Sequence, residues 1–287
     1  MVMPVPVTLP VPPLLTLAEF VDVAGELQLD ELATRNDRWI HGVQWTSRVC
    51  EDLGGTNDVG CDPTALDMQP TATRGEAYPV LNTQVGFMLW RAIQCSTLST
   101  TWEQLQAEAE PNFRLWLSHA IAQEAMTGAA SGGLSIAGEA DILAAPSTIT
   151  ATVGRLDAWL GTKIGNGQGI LHMNRLALAE GVAIGVLRFN QGKYFTPAGN
   201  KVIADAGYYP LAPESEPEPI ADEPWVFATG PVYFKVSGPR LLSQFLHEGL
   251  DFTGNIMEAI STAYGIVVFE PCSVAAAQVL LEGPVGS

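Results

Sequence analysis

Basic residues are scarce in this chain. Its 287 residues include 14 Lys and Arg against 31 Asp and Glu, which gives a formal net charge of −17. A protein that binds along a nucleic-acid backbone needs clustered Lys and Arg to neutralise the phosphates. The charge balance therefore argues against a nucleic-acid-binding protein.

Charged residues of either sign are also few, at 16% of the chain. So little charge is available for a solvated surface that we expect much of the surface to be buried against other subunits. Apolar residues make up 47% of the sequence, which excludes a disordered chain. A chain of this length can bury one large core or two smaller ones.

No apolar run is long enough to span a membrane. The first 15 residues, MVMPVPVTLPVPPLL, are apolar, but they lack the basic segment with which a signal peptide begins. Their prolines prevent a stable helix. We therefore expect an extended, polyproline-like arm here and no signal peptide.

The chain has only four cysteines: Cys50, Cys61, Cys95 and Cys272. They form no C-x-x-C pair and no His/Cys cluster with zinc spacing, so no metal site is predicted. One interpretation is four free thiols in a reducing cytoplasm. The alternative is a disulfide between Cys50 and Cys61 that closes a loop once the protein has left the cell.

The four histidines are isolated in the sequence: His41, His119, His172 and His247. None has an acidic residue at a spacing that would hold it as a general base. Motifs of serine hydrolases, zinc proteases and P-loop nucleotide-binding proteins are also missing. The sequence therefore predicts no catalytic residues, no cofactor and no enzyme activity.

The most regular block runs over residues 154–210. Its apolar spacing predicts a helix that stops at Gly161 and a glycine-rich loop before a short strand at 170–173. Asn174 is predicted to cap the next helix. Gly192 lies between two apolar runs and predicts a hairpin, and a further strand is predicted at 201–204.

The glycines at 165, 167 and 169 form a G-x-G-x-G pattern. A dinucleotide-binding loop needs a strand before it and a helix after it, so that the helix N-terminus meets the pyrophosphate. Here the predicted order is the reverse. We therefore interpret this segment as a structural loop.

Two regions before this block carry clear patterns. Residues 39–94 place strand-like apolar runs at both ends of a long polar stretch, which predicts an extended β-hairpin. Residues 100–126 predict the longest helix, with a capping box from Thr101 and Gln104. Pro111 lies inside this pattern, and we expect it to kink the helix or divide it in two.

Beyond the block, residues 211–224 (LAPESEPEPIADEP) alternate proline with acidic residues, which predicts an extended surface loop. The remaining apolar runs predict three strands, at 225–236, 258–269 and 273–281. The first strand is expected to bulge at Gly230-Pro231. Pro271 separates the last two strands.

The order of these parts resembles that of tailed-bacteriophage major capsid proteins of the Hong Kong 97 type, and more narrowly those of phages of actinobacterial hosts. The resemblance covers most of the chain after about residue 38. The segments that carry it are short apolar and glycine patterns: GILHM at 169–173, residues 187–196 with PAGN at 197–200, AGY at 206–208, ATGPV at 228–232 and SVA at 273–275.

This resemblance implies an α+β fold with four parts. They are an N-terminal arm at 1–37, an extended E-loop hairpin at 38–97, a peripheral domain with a long spine helix at 98–146 and 236–262, and an axial domain at 147–235 and 263–287. Some relatives crosslink an E-loop lysine to an asparagine of the next subunit. Because no lysine lies between Arg38 and Gln94, no such crosslink is expected.

The function that the resemblance implies is that of a major capsid protein. Such a protein assembles into pentamers and hexamers of an icosahedral head that encloses double-stranded DNA without specific contacts. The expected location is the virion, with the host cytoplasm during assembly, and no membrane contact. Expected partners are further copies of the chain, a portal, and a cement or scaffolding protein. The alternatives are an encapsulin-like shell with enzyme cargo, or another structural protein of the virion.

Overall fold

Three sheets and three α-helices make up the regular structure that is described for this chain. The computed structural model describes residues 7–8, 42–46, 81–96, 101–143, 146–164, 168–205, 208, 211–214, 223–241, 250–251 and 256–281. The expected N-terminal arm is therefore almost entirely outside the described residues. The same holds for residues 47–80, the polar excursion of the predicted hairpin.

The helices are α1 (Trp102–Thr127), α2 (Ile149–Ile164) and α3 (Arg175–Ala183). The strands are β1 (Val7–Thr8), β2 (Val43–Thr46), β3 (Leu81–Gln84), β4 (Phe87–Ser96), β5 (Asp141–Ile142), β6 (Ser147–Thr148), β7 (Ile170–Met173), β8 (Arg188–Asn190), β9 (Lys193–Phe195), β10 (Lys201–Ala204), β11 (Trp225–Thr229), β12 (Val232–Val236), β13 (Arg240–Leu241), β14 (Leu250–Asp251), β15 (Ile256–Phe269) and β16 (Val274–Leu280). This mixture of helix and sheet confirms the α+β class.

The largest sheet has the strand order β5-β16-β11-β7-β10-β9-β8, with β6 also paired to β16. Its central strands β7, β10 and β11 are buried along their whole length. Alternate side chains of these strands join two separate core clusters. Leu171, Val202 and Val226 pack with α2 and α3, whereas Ile203 and Phe227 pack on the side of α1. This burial on both faces explains the continuous apolar runs in the sequence.

A second sheet is built around the long strand β15. β4 pairs antiparallel with β15 from Phe87 opposite Gly265 to Ser96 opposite Ile256, and β12 pairs with the C-terminal end of β15. The strands β13 and β14 pair with β15 as well. The helix α1 covers one face of this sheet, and its Leu105 packs against Met257 of β15. One core cluster joins α1 with residues of both large sheets.

The predicted single strand at 225–236 is wrong. It is two strands in different sheets, since β11 belongs to the first sheet and β12 to the second. Pro231 has no N–H to donate to a strand ladder, so pairing stops there. The Gly230 N–H donates to the Ser273 carbonyl at 3.0 Å, where the chain crosses back between the same two sheets. At Gly230-Pro231 the chain therefore passes from the first sheet to the second, where a bulge within one strand was expected.

The long helix is a single element, so Pro111 does not divide it. The predicted capping box is confirmed: Gln104 N donates to Thr101 Oγ1 at 3.3 Å, and Thr101 N donates to Gln104 Oε1 at 2.9 Å. The helix ends at Gly128, whose φ of 61° is the left-handed conformation that glycine adopts without strain. The burial of Phe113 and Leu117 beyond the proline outweighs the lost backbone hydrogen bond.

Within the block at 154–210, α2 continues through Gly161 to Ile164, so the predicted stop is wrong. Tertiary burial of Leu160 in the second core cluster outweighs the low helix propensity of one glycine. The cap at Asn174 is confirmed, with Ala177 N donating to its Oδ1 at 2.8 Å. The hairpin is confirmed too, because Gln191 and Gly192 both have positive φ, as a tight β8–β9 turn requires.

The base of the first predicted hairpin is present. β2 pairs antiparallel with β3 over four residues, from Val43 opposite Gln84 to Thr46 opposite Leu81. Gln84 fixes this base to the loop after α1: its Oε1 accepts from Leu134 N at 2.8 Å, and its Nε2 donates to Leu134 O at 3.1 Å. The hairpin therefore leaves the body from a defined anchor.

The packing of Phe87 on Gly265 yields a stability prediction. A Cβ on Gly265 would lie 2.6 Å from the buried Phe87 ring, so Gly265→Ala forces this ring to shift. We expect a loss of about 1–3 kcal/mol in the free energy of unfolding. The matched control is Gly154→Ala on α2, where a Cβ meets open space and should raise stability by about 0.5–1 kcal/mol. Urea unfolding followed by circular dichroism measures both; equal effects would contradict the prediction.

Candidate functional site

The buried polar group around His172 is the first candidate site. His172 lies in the middle of β7, opposite Ile203 of β10 and Phe227 of β11. Its Nε2 is 2.9 Å from Thr229 Oγ1, and its Nδ1 is 3.3 Å from the Tyr208 hydroxyl. Because a neutral imidazole has one donor and one acceptor nitrogen, it can satisfy both hydroxyls at once.

Burial determines the protonation of this group. Burial, with a smaller contribution from the charge of Lys201, lowers the pKa of His172 from 6.5 to about 3. Burial also raises the pKa of Tyr208 far above its usual value of 10, with a smaller contribution from the Asp205 carboxylate. Both rings are therefore neutral at physiological pH. Their edge-to-face contact, with ring centroids 5.6 Å apart, adds packing energy.

A second contact links this region to the long helix. His119 Nδ1 on α1 is 3.1 Å from Asp205 Oδ1, which follows β10. The sequence separation of 86 residues explains why the sequence predicted His119 as isolated. This contact corrects that interpretation of His119. His41 and His247 lie outside the described residues.

The His172 group does not have the geometry of a catalytic site. His172 and Thr229 are fully buried and Tyr208 is nearly so, which leaves no room for a substrate. The arrangement instead satisfies polar atoms inside the sheet and thereby fixes its register. Among the described residues, no group of three or more His, Cys, Asp or Glu side chains could hold a metal ion.

The cysteines differ from the all-thiol interpretation. Cys272 is disulfide-bonded, whereas Cys95 is a free, half-buried thiol on β4. Cys50 and Cys61 lie outside the described residues. With Cys95 free, they are the two cysteines of the chain that could pair with Cys272, so the predicted Cys50–Cys61 disulfide competes with the Cys272 disulfide. No described helix is long and apolar enough to cross a membrane.

Exposed apolar side chains form the second candidate site. Most of them lie in two places, whereas Leu115, Ile142 and Leu280 are exposed elsewhere. The first, here called the hairpin patch, consists of Val85, Met88 and Trp90 at the base of the hairpin and on β4. The Trp90 side chain is 57% exposed. Phe87 and Leu89 alternate with these residues and point into the core, so the hairpin patch is the outer face of the second sheet.

The second place, here called the edge patch, lies at the other large sheet. It consists of Leu176, Val182 and Ile184 in and just after α3, together with Phe189 on the edge strand β8. Phe189 is 63% exposed and its ring contacts that of Tyr194 at a centroid distance of 5.0 Å. Several exposed apolar residues on neighbouring elements make this region a candidate surface for contact with another protein.

A cavity of about 390 Å³ opens beside the edge patch. It lies between α3 and the strands β8, β9 and β10. Its lining consists of Arg175, Leu178, Phe189, Gly192, Lys193, Tyr194, Lys201, Val202, Ile203 and Ala204. The cavity therefore combines aromatic and aliphatic walls with basic residues, in a chain where basic residues are scarce.

Comparison with solved structures gives likenesses of fold over most of the chain. One is to a chain from Gordonia phage Cozz, with 12% identity, a TM-score of 0.48 and coverage of 84% of this chain and 82% of that chain. Another is to the capsid of an empty GTA particle, with 12% identity, a TM-score of 0.44 and coverage of 90% and 93%. A third is to the holo-SrpI encapsulin complex from Synechococcus elongatus, with 11% identity, a TM-score of 0.41 and coverage of 70% and 75%.

No family model and no curated protein matches the chain.

Proposed function

We propose that this chain is the major capsid protein of a tailed phage. Copies assemble into pentamers and hexamers of an icosahedral shell that encloses double-stranded DNA. The four-part division stands as part of this proposal: an arm at 1–37, an E-loop at 38–97, a peripheral domain at 98–146 and 236–262, and an axial domain at 147–235 and 263–287. β12 and β15 run across two of these boundaries, so the peripheral and axial parts share the second sheet.

One observation carries the proposal: the hairpin patch and the edge patch lie on different sheets and differ in residues. A two-fold dimer uses one self-complementary surface on both partners. Two unlike surfaces instead suit head-to-tail contacts, which close into rings when the rotation between copies allows it. Pentamers and hexamers are such rings.

The charge of the chain fits a container for DNA. With a net charge of −17, an inner wall repels packaged DNA and leaves it mobile, without specific contacts. The location is the virion, with the host cytoplasm during assembly. A portal and a cement or scaffolding protein are the further partners. We expect no catalysis from the buried His172, since it is enclosed and neutral.

The test is assembly of the full chain. We expect purified protein to sediment as closed shells that are visible by electron microscopy. Trp90→Glu places a charge in the hairpin patch and should reduce the yield of shells at least 10-fold, because a buried unpaired charge costs several kcal/mol at each contact. The matched control, Gln123→Glu, adds the same charge at an exposed position of α1 and should assemble normally.

A wild-type chain that stays monomeric at all concentrations would contradict the proposal. So would shells that tolerate Trp90→Glu as well as the control. Particles isolated from the natural source distinguish a phage head from an encapsulin-like shell. A phage head is filled with DNA and carries a tail, whereas an encapsulin-like shell is filled with protein cargo.

A further inference from the structure

The cavity beside the edge patch has a specific complement elsewhere in the chain. Arg175 and Lys193 line it, and Phe189 and Tyr194 form an aromatic wall. Lys201 is the third basic residue of the lining. Three of the 14 basic residues of the chain therefore line one partly apolar cavity. An occupant should combine negative charge with rings that can stack on aromatic side chains.

The segment at 213–224 has this chemistry. It reads PESEPEPIADEP, with four prolines, five acidic residues and no basic residue. Alternating prolines favour an extended polyproline conformation, which aromatic grooves bind at low entropic cost. Carboxylates on the same segment pair with Arg and Lys at the rim. The segment is therefore complementary to the cavity in both shape and charge.

Both ends of this segment are hydrogen-bonded near one edge of the first sheet, and the cavity lies near the other edge. Glu214 N donates to Ala137 O at 3.3 Å, in the loop that leads to the outer strand β5. At the other end, Gln278 Nε2 of β16 donates to Glu223 O at 3.2 Å and to its Oε2 at 3.3 Å. From β16 the sheet continues through β11, β7 and β10 to β9, where the cavity lies.

The geometry argues against insertion into the cavity of the same chain. Three to four strand spacings, or about 14–19 Å, separate β16 from the lining strands β10 and β9. A segment of nine residue steps that is fixed at both ends reaches outward by at most about 16 Å, so it would have to be almost fully extended to touch even the near side of the cavity. In a head-to-tail ring, however, one flank of each sheet faces the opposite flank of the next copy.

We propose that the cavity between α3 and the strands β8–β10 binds the proline-rich acidic segment at 213–224 of a neighbouring copy. The segment's prolines lie against Phe189 and Tyr194, and its carboxylates pair with Arg175 and Lys193. This contact closes the rings of axial domains. The inference rests on the proposed function, since it assigns the contact by which neighbouring copies recognise each other.

Charge reversal on each side provides the test. The cavity variant is Arg175→Glu with Lys193→Glu, and the segment variant is Glu216→Lys with Glu218→Lys. Each variant alone should reduce the assembled fraction at least 10-fold, with an unchanged circular-dichroism spectrum. A chain that carries all four substitutions should recover assembly to within about 3-fold of the wild type, because the charges are complementary again.

Mixing the two variants distinguishes binding of a neighbouring copy's segment from binding of the segment within the same chain. A cavity variant can accept the segment of a segment variant, and the reverse also holds, so mixed copies should form rings with even numbers of subunits. If the segment folded back on its own chain, mixing would restore nothing, whereas the four-fold variant would still recover. That result would overturn the inference, and so would normal assembly of either variant alone.

A binding measurement keeps the inference independent of shell formation. A fluorescein-labelled peptide of residues 211–224 should bind the full chain carrying Trp90→Glu, and a peptide with Gln at its Glu positions should bind at least 10-fold more weakly. Equal binding of the two peptides, or none, would overturn the inference. If the wild-type chain forms no shells while the acidic peptide binds selectively, the proposed function fails and the contact stands.

Discussion

Lowering the pH from about 6.5 to about 3 is expected to remove several kcal/mol of folding stability because of His172 alone. The pKa of this histidine is about 3 in the folded chain and 6.5 when exposed. Above pH 6.5 both forms are neutral and the residue has no pH-dependent effect. Between the two values the unfolded chain binds a proton that the folded chain does not, so stability falls by about 1.4 kcal/mol per pH unit, or about 5 kcal/mol in all.

The variant that isolates this effect is His172→Gln, which removes the titrating group. This substitution lowers the stability at pH 7, because glutamine satisfies the hydroxyls of Tyr208 and Thr229 less well than the imidazole does. As the pH falls towards 4, however, the stabilities of the variant and the wild type should converge, since the wild type alone loses the His172 contribution. Urea unfolding at one low protein concentration, followed by circular dichroism at pH 7, 6, 5 and 4, measures both curves.

His119→Gln is the control for this measurement. His119 has a half-exposed side chain on α1, so its replacement removes a histidine and its contact with Asp205 but leaves the hydrogen bonds of His172 to Tyr208 and Thr229 in place. The pH dependence of folding stability that is attributed to His172 should persist in this control. Parallel curves for His172→Gln and the wild type between pH 7 and pH 4 would contradict the expectation, because they would mean that His172 is not held neutral by burial.

Removing the Glu124 carboxylate is expected to give the second large loss, of about 3 kcal/mol. Glu124 is a buried acidic residue near the end of α1. Its Oε2 accepts from Ala130 N and its Oε1 from Ser131 N, both at 2.8 Å. Glu124→Ala leaves these two backbone N–H groups without acceptors, and hydrogen bonds to a charged group contribute about 1.5–3 kcal/mol each.

Two controls on the same side chain and the same helix sharpen this prediction. Glu124→Gln keeps one acceptor oxygen and should lose roughly half as much. Glu110→Ala removes an acid of the same helix that forms only an exposed ion pair with Arg114 at 2.7 Å, and should cost less than about 1 kcal/mol. Urea midpoints measure all three, and faster hydrogen exchange at Ala130 and Ser131 should accompany the loss. Equal costs for Glu124→Ala and Glu110→Ala would contradict the explanation.

The Glu124 loop also connects stability to the candidate interface. The loop it orders leads to Leu134, which holds Gln84 at the base of the hairpin. A loosened loop therefore frees the hairpin patch from its anchor. For this reason, Glu124→Ala should weaken assembly as well as folding.

Elements that depend on neighbours within a few residues were predictable. The capping box of Thr101 with Gln104, the cap at Asn174 and the β8–β9 turn at Gly192 are contacts over four residues or fewer. Two errors occurred at Gly161 and at Gly230-Pro231. In both places the local preference was correct, but tertiary burial or the neighbouring sheet decided the conformation.

The candidate sites were not predictable in the same way. His172 contacts residues 36 and 57 positions away, and His119 contacts Asp205 across 86 positions. The cavity and the acidic segment each had a visible signal, in basic and aromatic residues near 188–194 and in alternating proline and acid at 213–224. Nothing in the sequence placed them at opposite flanks of one sheet.

By itself, the sequence determined the acidic balance, the α+β class, the positions of the helix caps and turns, and the family patterns on which the resemblance depends. These follow from composition and from interactions between near neighbours in the chain. Only the tertiary structure decided that β4 pairs with β15, that His172 is buried and neutral, and which apolar residues remain on the outside. Strand pairing joins residues up to 178 positions apart, and no local preference specifies such partners.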